Sequence, residues 1–517
     1  MPELASKRIV MLTFESVYTK KVGGLAEVPP RLGWALKELG FTVEVFTPSH
    51  GVVDACSNPI FVVEHASKYC ISLVETAKPL HVVAGGGVLD DPVVYSPTRL
   101  LEKSLAFAVA ARKYYEASLR QSAESTIFHV HDWHSLPALI ALNALSVEAG
   151  LPLSFVYHVH LLSKAKIPLE ALCREAGICG DTLVRGLHGV KPFSYYYELS
   201  QGFAEKLAAL VADIVVTVSR GYAKSVERAM GPSSWGRVDY VPNASPITWN
   251  DVRESLRKAG VKNPRSRSSR LSYRRKLLER GFADLQVYWS SSEVEQRVAR
   301  LLGDYNLDYK KPFGGDGPLV FSIGRASKQK GFDILVKALD ELTLLIPRIR
   351  VVLAAAPLEW DYEWLKWLVE EAKVYEDVLR LIPGFIARED AIKFYYAANA
   401  TVVPSRSEPF GLVALESMAA GTPVAASRVD GLADIVLSIE ERGVKGTGVL
   451  FEPGDPRSLA HKLATLVEVV EEAYKGSRRG LEIRHSCIKR AEEFSWSASA
   501  KKATEVYKKL EAAHQVV

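Results

Sequence analysis

Asparagine and glutamine are scarce in this chain of 517 residues, seven and six in all. Few thermolabile amides beside many Glu, Lys and Arg fit a thermophilic host. Cysteine is scarce too. The five (Cys56, Cys70, Cys173, Cys179 and Cys487) are odd in number and form no CxxC pair, which argues against a disulfide framework or a structural zinc site. No apolar run approaches the roughly 20 residues of a membrane span. Leu105 to Ala111 and Val351 to Leu358 are the longest. The net charge, +5, is too small to mark a nucleic-acid binder. Met1 to Arg8 leads straight into the strand-like run Ile9 to Phe14 with no signal peptide, so an intracellular, cytoplasmic protein is expected. What is there is ordinary: 48% apolar and 24% charged residues, which excludes disorder. The length suits two or three domains.

One stretch breaks the balance. Between Arg253 and Arg280 stand eleven Lys or Arg against Glu254 and Glu279. It reads as a solvated basic helix pair or surface insertion, or else as a site for an anionic partner. No aromatic platforms interleave the charges, as a single-stranded nucleic-acid site would need.

Short apolar strands alternate with helices. In the first half the strands are Ile9–Phe14, Thr42–Phe46, Ile127–Val130, Leu153–Tyr157 and Ile214–Val218. Leu25, Val28, Leu32, Leu36 and Leu39 recur at helical spacing, and Gly40 stops that helix. Leu136–Val147 and Gly221–Ala229 read as further helices. From Ser245 to Gly315 the chain is polar, with helical pieces such as Glu293–Leu302 and no strong strand. The pattern then repeats. Strands are expected at Leu319–Ile323, Arg350–Ala354, Val378–Ile382, Thr401–Val403 and Val424–Ala426, and helices at Phe332–Leu345, Leu412–Ala420 and Leu459–Ala473. A helical tail, Ala491–Leu510, is interrupted near Phe494-Ser495-Trp496. The expectation is an α/β protein of two doubly wound, Rossmann-like domains with ligands in the cleft between them.

Four segments carry chemistry. Lys21-Val22-Gly23-Gly24-Leu25 follows the first strand and opens a helix. Two glycines and a helix N-terminus suit an anion, yet the segment is neither GxGxxG nor a Walker A loop. His129-Val130-His131-Asp132-Trp133-His134 and His158-Val159-His160 put five of the twelve histidines at two strand ends. His131, Asp132 and His134 could reach one ion, but strand alternation and the bulk of Trp133 favour a ring of hydrogen-bonding groups around a polar substrate, and no metal is expected. Ser322-Ile323-Gly324-Arg325 and Lys328-Gln329-Lys330-Gly331 bring two cations to a strand end, a clamp for phosphate. Pro404 to Leu412 holds Glu408 in a turn and leads to Glu416 on the next helix, eight residues later, while Asp430-Gly431-Leu432 starts another helix. A buried Glu416 needs a partner, which a sugar hydroxyl pair would supply.

In this order and spacing the motifs resemble the glycogen and starch synthase family of retaining glucosyltransferases, of an archaeal or thermophilic type, over nearly the whole chain. The matching segments are Lys21 to Val28, His131-Asp132-Trp133-His134, Val218-Ser219 with Tyr222-Ala223, Gly324-Arg325, Gln329-Lys330-Gly331, Pro404-Ser405 to Glu416, and Phe494-Ser495-Trp496. The resemblance implies a GT-B fold: an acceptor-side domain over 1–244, a nucleotide-sugar domain over 245–494, and a helix over 495–517 returning to the first. It implies that Lys21, Gly23 and Gly24 approach the donor pyrophosphate and that His160 lies near the C6 hydroxyl of the sugar. Arg325 and Lys330 would hold the diphosphate, Glu408 would face the glucose and Glu416 the ribose. Gly411, Gly431 and Leu432 would complete the donor cradle, and His131, Asp132, Trp133 and His134 would face the acceptor. No cofactor or metal is implied for the transfer.

The chain departs from the family at Asn243-Ala244, where Asn-Gly is usual, and at Asn399, where Asp is usual. Ala355-Ala356-Pro357 replaces a glycine turn, and Asp430 stands where Gly is usual. A carboxylate at 430 would repel a pyrophosphate unless it points away to cap its helix. The expected activity is transfer of glucose from ADP-glucose or UDP-glucose to the nonreducing end of an α-1,4-glucan such as glycogen, by a front-face route with retention. The alternatives are a small sugar, sugar phosphate or lipid acceptor, or a noncatalytic glucan-binding protein. Neither a nucleic acid nor a membrane is an expected partner, and a homo-oligomer is compatible with the sequence.

Overall fold

The computed structural model describes residues 7–119, 125–358 and 361–514. Residues 1–6, on which much of the reading of the N-terminus rests, lie outside them. The chain divides into two compact units, Met1–Asn243 with Ser495–Val517, and Ala244–Phe494.

The first unit is built on a nine-stranded sheet. Its strands are β1 (Arg8–Leu12), β2 (Thr42–Pro48), β3 (Phe61–Glu64), β4 (Lys68–Val74), β5 (Leu80–Gly85), β6 (Thr126–His131) and β7 (Leu153–Val159). A separate hairpin, β8 (Leu183–Gly186) and β9 (Gly189–Pro192), precedes β10 (Ile214–Thr217) and β11 (Val238–Tyr240). The spatial order is β11-β10-β7-β6-β1-β2-β5-β4-β3. All neighbours are parallel except β3–β4 and β4–β5. Every residue of β1, β6 and β7 is buried, as an apolar run covered on both faces should be. The helix Val28–Glu38 carries two prolines at its start, where no N–H is missed.

The core of this unit includes residues from far along the chain. Ala500, Ala503, Val506, Tyr507 and Leu510 of the helix Trp496–His514 join Ile9, Met11, Leu32, Leu36, Phe41 and Val43 in one buried cluster. Their spacing is one helical face.

The second unit holds β12 (Val287–Tyr288), β13 (Leu319–Arg325), β14 (Arg350–Ala356), β15 (Leu379–Ile382), β16 (Phe385–Ile386), β17 (Ala400–Val403), β18 (Val424–Ser427) and β19 (Gly448–Phe451). Six of them form a parallel sheet, β15-β14-β13-β17-β18-β19. The expected helix Phe332–Leu345 is broken at Ala338 into Phe332–Lys337 and Leu339–Leu345. The ends of the unit meet: the Ser245 N–H donates to the Phe494 carbonyl at 2.8 Å. Among the described residues no helix is long and apolar enough to cross a membrane.

Two expectations are corrected. Cys56 is bonded to Cys70 and Cys173 to Cys179, with Cα atoms 5.1 and 4.3 Å apart, and only Cys487 is a free, buried thiol among the described residues. Chain reversals make these pairs. The turn into the β3–β4 ladder returns β4 beside residue 56, and the chain doubles back after the helix Leu169–Ala176. Neither is a local CxxC, so spacing gave no sign of them. The basic stretch is also not simply solvated. Helices Trp249–Lys258 and Arg267–Arg280 span it, and the second buries Arg270, Arg274 and Leu278, an i, i+4, i+8 stripe in which arginine takes core positions.

Arg270 donates to Thr422 Oγ1 at 2.9 Å and the Ala420 carbonyl at 2.6 Å, over the ring of Tyr396. Burial pulls its guanidinium down to about 9. Arg274 donates to Glu471 at 2.6 Å, Asn399 Oδ1 at 2.8 Å and Asp316 at 3.2 Å. The Asn399 Oδ1 also accepts the Leu319 N–H at 2.9 Å, so this departure from the family pattern serves the start of β13. Replacing Arg274 by Met strips Glu471 and Asp316 of their partner. The variant is expected to lose about 3 kcal/mol, read as a lower denaturation midpoint of the second unit in urea. An unchanged midpoint would contradict the assignment.

Candidate functional site

In the first unit the site grows from the ends of β6 and β7. Register sets His131 opposite His158, and alternation puts His129 and His131 on one face, ring centroids 4.7 Å apart. His158 and His160 stack at 4.1 Å. The four rings form two edge-to-edge pairs. His129 Nε2 and His158 Nδ1 share a hydrogen bond of 3.0 Å, and His131 Nδ1 and His160 Nε2 one of 2.9 Å. The Tyr507 hydroxyl meets His129 Nδ1 at 2.7 Å. Burial keeps all four rings neutral. His129 and His160 are pulled down to about 3, and His131 and His158 well below the ordinary histidine value.

His131, Asp132 and His134 do not converge on a point. The Asp132 carboxylate accepts the His160 N–H at 2.7 Å and the Leu161 N–H at 3.4 Å. Burial raises it to about 7 against the pull of those two bonds. His134 lies on Phe14, with Tyr95 and Trp133 beside it. The trio that gathers instead is His129, His131 and His158, whose ligand-capable nitrogens lie within 4.8 Å of one another. An ion needs about 2.0 Å to each nitrogen. In the structure two of those nitrogens, His129 Nε2 and His158 Nδ1, are instead hydrogen-bonded to each other at 3.0 Å.

The glycine loop holds a residue that the motif does not reveal. The buried Glu15 carboxylate accepts the N–H groups of Val22 and Gly23 at 2.8 and 2.9 Å, and the Tyr95 hydroxyl at 2.7 Å. The Gly23 amide, expected to face a ligand, is therefore used inside the protein. Gly24 opens a 3-10 turn over Gly24–Glu27. Lys21 pairs with Glu27 at 2.7 Å on the exposed side.

In the second unit Arg325 ends β13 with its side chain 41% exposed, and its Nε lies 3.8 Å from Asp361. Lys330 Nζ donates to Glu408 at 2.7 Å, and Ser405 Oγ to the same carboxylate oxygen at 2.9 Å. Gln329 Nε2 reaches the Ser407 carbonyl at 3.1 Å, and Arg406 grips Asp333 through two bonds of 2.7 and 2.6 Å. The 404–411 loop is thus tied to the 328–333 segment, and these contacts fix where Lys330 and Glu408 meet.

Asp430 follows Val429, the N-cap residue of its helix. Its carboxylate accepts Ser407 Oγ at 2.8 Å and the Glu408 N–H at 3.1 Å, so it is tied to the loop that carries Glu408. The Gly431 N–H donates to the Glu408 carbonyl at 3.1 Å. A Cβ at Gly431 would stand 2.4 Å from the Phe410 carbonyl oxygen, and one at Gly411, where φ is +116°, 2.9 Å from Leu432. Gly431→Ala is expected to push the 408–411 loop away, costing about 1–3 kcal/mol, read as a lower thermal midpoint. Unchanged stability would contradict this packing. Glu416 accepts the hydroxyl of buried Tyr395 at 2.8 Å. Lys330, Glu408, Gly411, Asp430, Gly431 and Leu432 therefore gather in one corner of the unit.

Sequence reasoning missed Glu15, Tyr95, Asp361, Tyr395 and Tyr507. Each reaches its partner through the fold, with no local signal.

Residues 8–234 match the profile described as "Starch synthase catalytic domain", and residues 306–493 that of "Glycosyl transferases group 1". The D-inositol 3-phosphate glycosyltransferase of Kineococcus radiotolerans is 36% identical over 205 residues, 38% of this chain and 45% of that protein. The chain thus spans less than half the length of this relative. The glycogen synthase of Gloeobacter violaceus is 23% identical over 515 residues, 97% of this chain and 99% of the relative. Among solved structures, the catalytic domain of starch synthase IV from Arabidopsis thaliana, bound to ADP and acarbose, superposes with a TM-score of 0.66 at 18% identity, covering 97% and 99% of the two chains. The chain is accordingly related to the glycogen and starch synthases and to other nucleotide-sugar glycosyltransferases, and it carries their GT-B-like fold of two α/β sheet regions.

Proposed function

We propose that the chain is a retaining glycosyltransferase that moves glucose from a nucleotide-glucose. The observation that carries this reading is the corner of the second unit where Lys330, Glu408 and the Gly431 amide segment meet. Lys330 and Arg325 are the cations for the donor diphosphate. Lys330 exchanges Glu408 for phosphate oxygens when the donor binds, and Glu408 is then released toward the sugar. Retention here does not require the pair of carboxylates about 5 Å apart of a double-displacement glycosidase. As the glycosidic bond breaks, negative charge grows on the diphosphate, and fixed cations stabilise it. The diphosphate in turn takes the acceptor proton on the same face. Tyr395 holds Glu416 ready for the ribose.

Two acceptors share the support, and the small-sugar alternative has more of it than the glucan. Identity to the D-inositol 3-phosphate glycosyltransferases favours a small sugar or sugar phosphate. The starch synthase match over residues 8–234 and the full-length likeness to glycogen synthases favour an α-1,4-glucan.

The test supplies ADP-glucose and UDP-glucose in parallel, each with glycogen and with small sugar or sugar phosphate acceptors, and follows nucleoside diphosphate release. One donor should be consumed with one acceptor class. No turnover in any combination would overturn the proposal. Exhaustive chelation is expected to leave that turnover unchanged; loss restored by one particular divalent ion would refute the metal-free reading.

A further inference from the structure

The contact between His131 and His160 determines where the ring protons lie. Both rings are neutral, so each carries one proton. A single proton lies between His131 Nδ1 and His160 Nε2, 2.9 Å apart, and belongs to one ring or the other. The remaining nitrogen of His131, Nε2, is buried with no hydrogen-bond partner among the described residues. If His160 owned the shared proton, His131 would carry its own on Nε2, a buried donor with nothing to accept it. If His131 owns the shared proton, Nε2 is only a bare lone pair. Buried donors without acceptors are the rarer and costlier of the two defects.

We propose that His131 donates from Nδ1 to His160 Nε2 and thereby holds His160 in the tautomer protonated on Nδ1. His131 is a positioning residue. Asp132 completes the grip by accepting the backbone N–H of the same histidine at 2.7 Å. Both residues, expected on the acceptor side, contact His160. The consequence rests on the reading above that His160 faces the donor sugar. The ring nitrogen left for a ligand, Nδ1, bears a proton, so His160 acts as a hydrogen-bond donor and selects a group that offers an oxygen lone pair. The tautomer of a histidine is set by what its other nitrogen meets, and here that partner is another histidine rather than a carboxylate.

The proton can be located without any substrate. Ligand-free protein labelled with ¹⁵N in its histidine rings is examined by long-range ¹H–¹⁵N correlation, the His160 signals being identified by their loss in His160→Gln. A protonated Nδ1 and a bare Nε2 on His160 are expected. A proton on His160 Nε2 would overturn the proposal. This result stands apart from the activity, so its failure and that of the proposed function are distinguishable. Two variants add a kinetic readout. In His131→Asn the amide nitrogen takes the place of Nδ1 and still donates, so the tautomer and most of the turnover should persist. His131→Leu removes the donor, and turnover should fall about tenfold, the worth of one hydrogen bond, with little change in the Michaelis constant for the donor. Equal losses in both variants would reduce His131 to a packing role and overturn the proposal.

Discussion

Acidification from pH 7 to pH 5 is expected to unfold the first unit and leave the second folded. Seven histidines of the first unit are held neutral, chiefly by burial. His50 and His81 are pulled down to about 4, and His129, His134 and His160 to about 3. His131 and His158 lie well below the ordinary value. In the unfolded chain each takes up a proton near 6.5. Below that pH the unfolded state binds protons that the folded state refuses. The stability from these groups is therefore fully present above 6.5 and lost as pH falls toward 4 and 3. Each costs about 1.4 kcal/mol per pH unit inside that window. Asp132 has the opposite sign. Raised to about 7, it holds a proton that the unfolded chain has already released, and it returns some stability between about pH 7 and 4. Glu205, also raised by burial, acts in the same sense as Asp132; the histidines outnumber these two acids, and the net loss by pH 5.5 is on the order of several kcal/mol, comparable with the whole stability of a domain. The second unit has only His461 and His485, both exposed. Hydrogen exchange read by mass spectrometry across pH 7 to 4 assigns the loss of protection to one unit or the other. Simultaneous unfolding of both, or a protected first unit at pH 4.5, would refute this account.

Arg325→Ala is expected to lower turnover by roughly 10²-fold or more, the scale of removing one fixed charge-stabilising donor. Its thermal midpoint should barely move. The side chain is 41% exposed and its ion pair to Asp361 is long at 3.8 Å; surface changes of this kind cost within about 0.5 kcal/mol. Lysine at 325 should rescue only part of the loss, because an ammonium lacks the planar two-donor fork. The informative quantity is the split between turnover and nucleoside diphosphate affinity. A cation that binds the intact donor and the departing diphosphate equally changes only the Michaelis constant; one that favours the departing diphosphate changes turnover as well. Normal turnover with normal donor affinity would remove Arg325 from the site.

The central strands were legible because burial on both faces writes them as continuous apolar runs: β1, β6, β7, β13 and β14 all read that way. The outer strands β3, β4 and β5 were not. They are short or antiparallel, and Phe61–Glu64 and the ends of Lys68–Val74 are partly exposed, so neither a pure apolar run nor strict alternation marks them. The four-residue β19 is similarly faint. In the site, the motif segments were legible as segments, but the partners of their residues were not. Tyr507 stands 378 positions from the His129 that it contacts, and Glu15 reaches the loop amides from the far side of the same turn. For Asp430 the sequence left open whether the carboxylate meets a phosphate or turns away, and its bonds to Ser407 and the Glu408 N–H come from a loop 22 or more positions earlier. The buried arginines of 267–280 were hidden for a different reason. Their polar composition suggests solvent, and counter-groups such as Glu471 and Thr422 come from distant segments.

The helix that supplies Ala500, Ala503, Val506, Tyr507 and Leu510 to the first core also sets an order of events at the ribosome. Domains usually fold in the order in which they are made. Here the first unit is interrupted by the second, and part of its core is translated only after residue 494. While residues 244–494 emerge, the first 243 residues must wait with an apolar face uncovered along β1 and the helix Val28–Glu38. The second unit has no such wait, since its two ends pair with each other through Ser245 and Phe494. It can close as soon as Phe494 has cleared the exit tunnel. The half of the protein that is begun first is therefore completed last, and during that interval a holdase chaperone would find its natural target on the N-terminal segment.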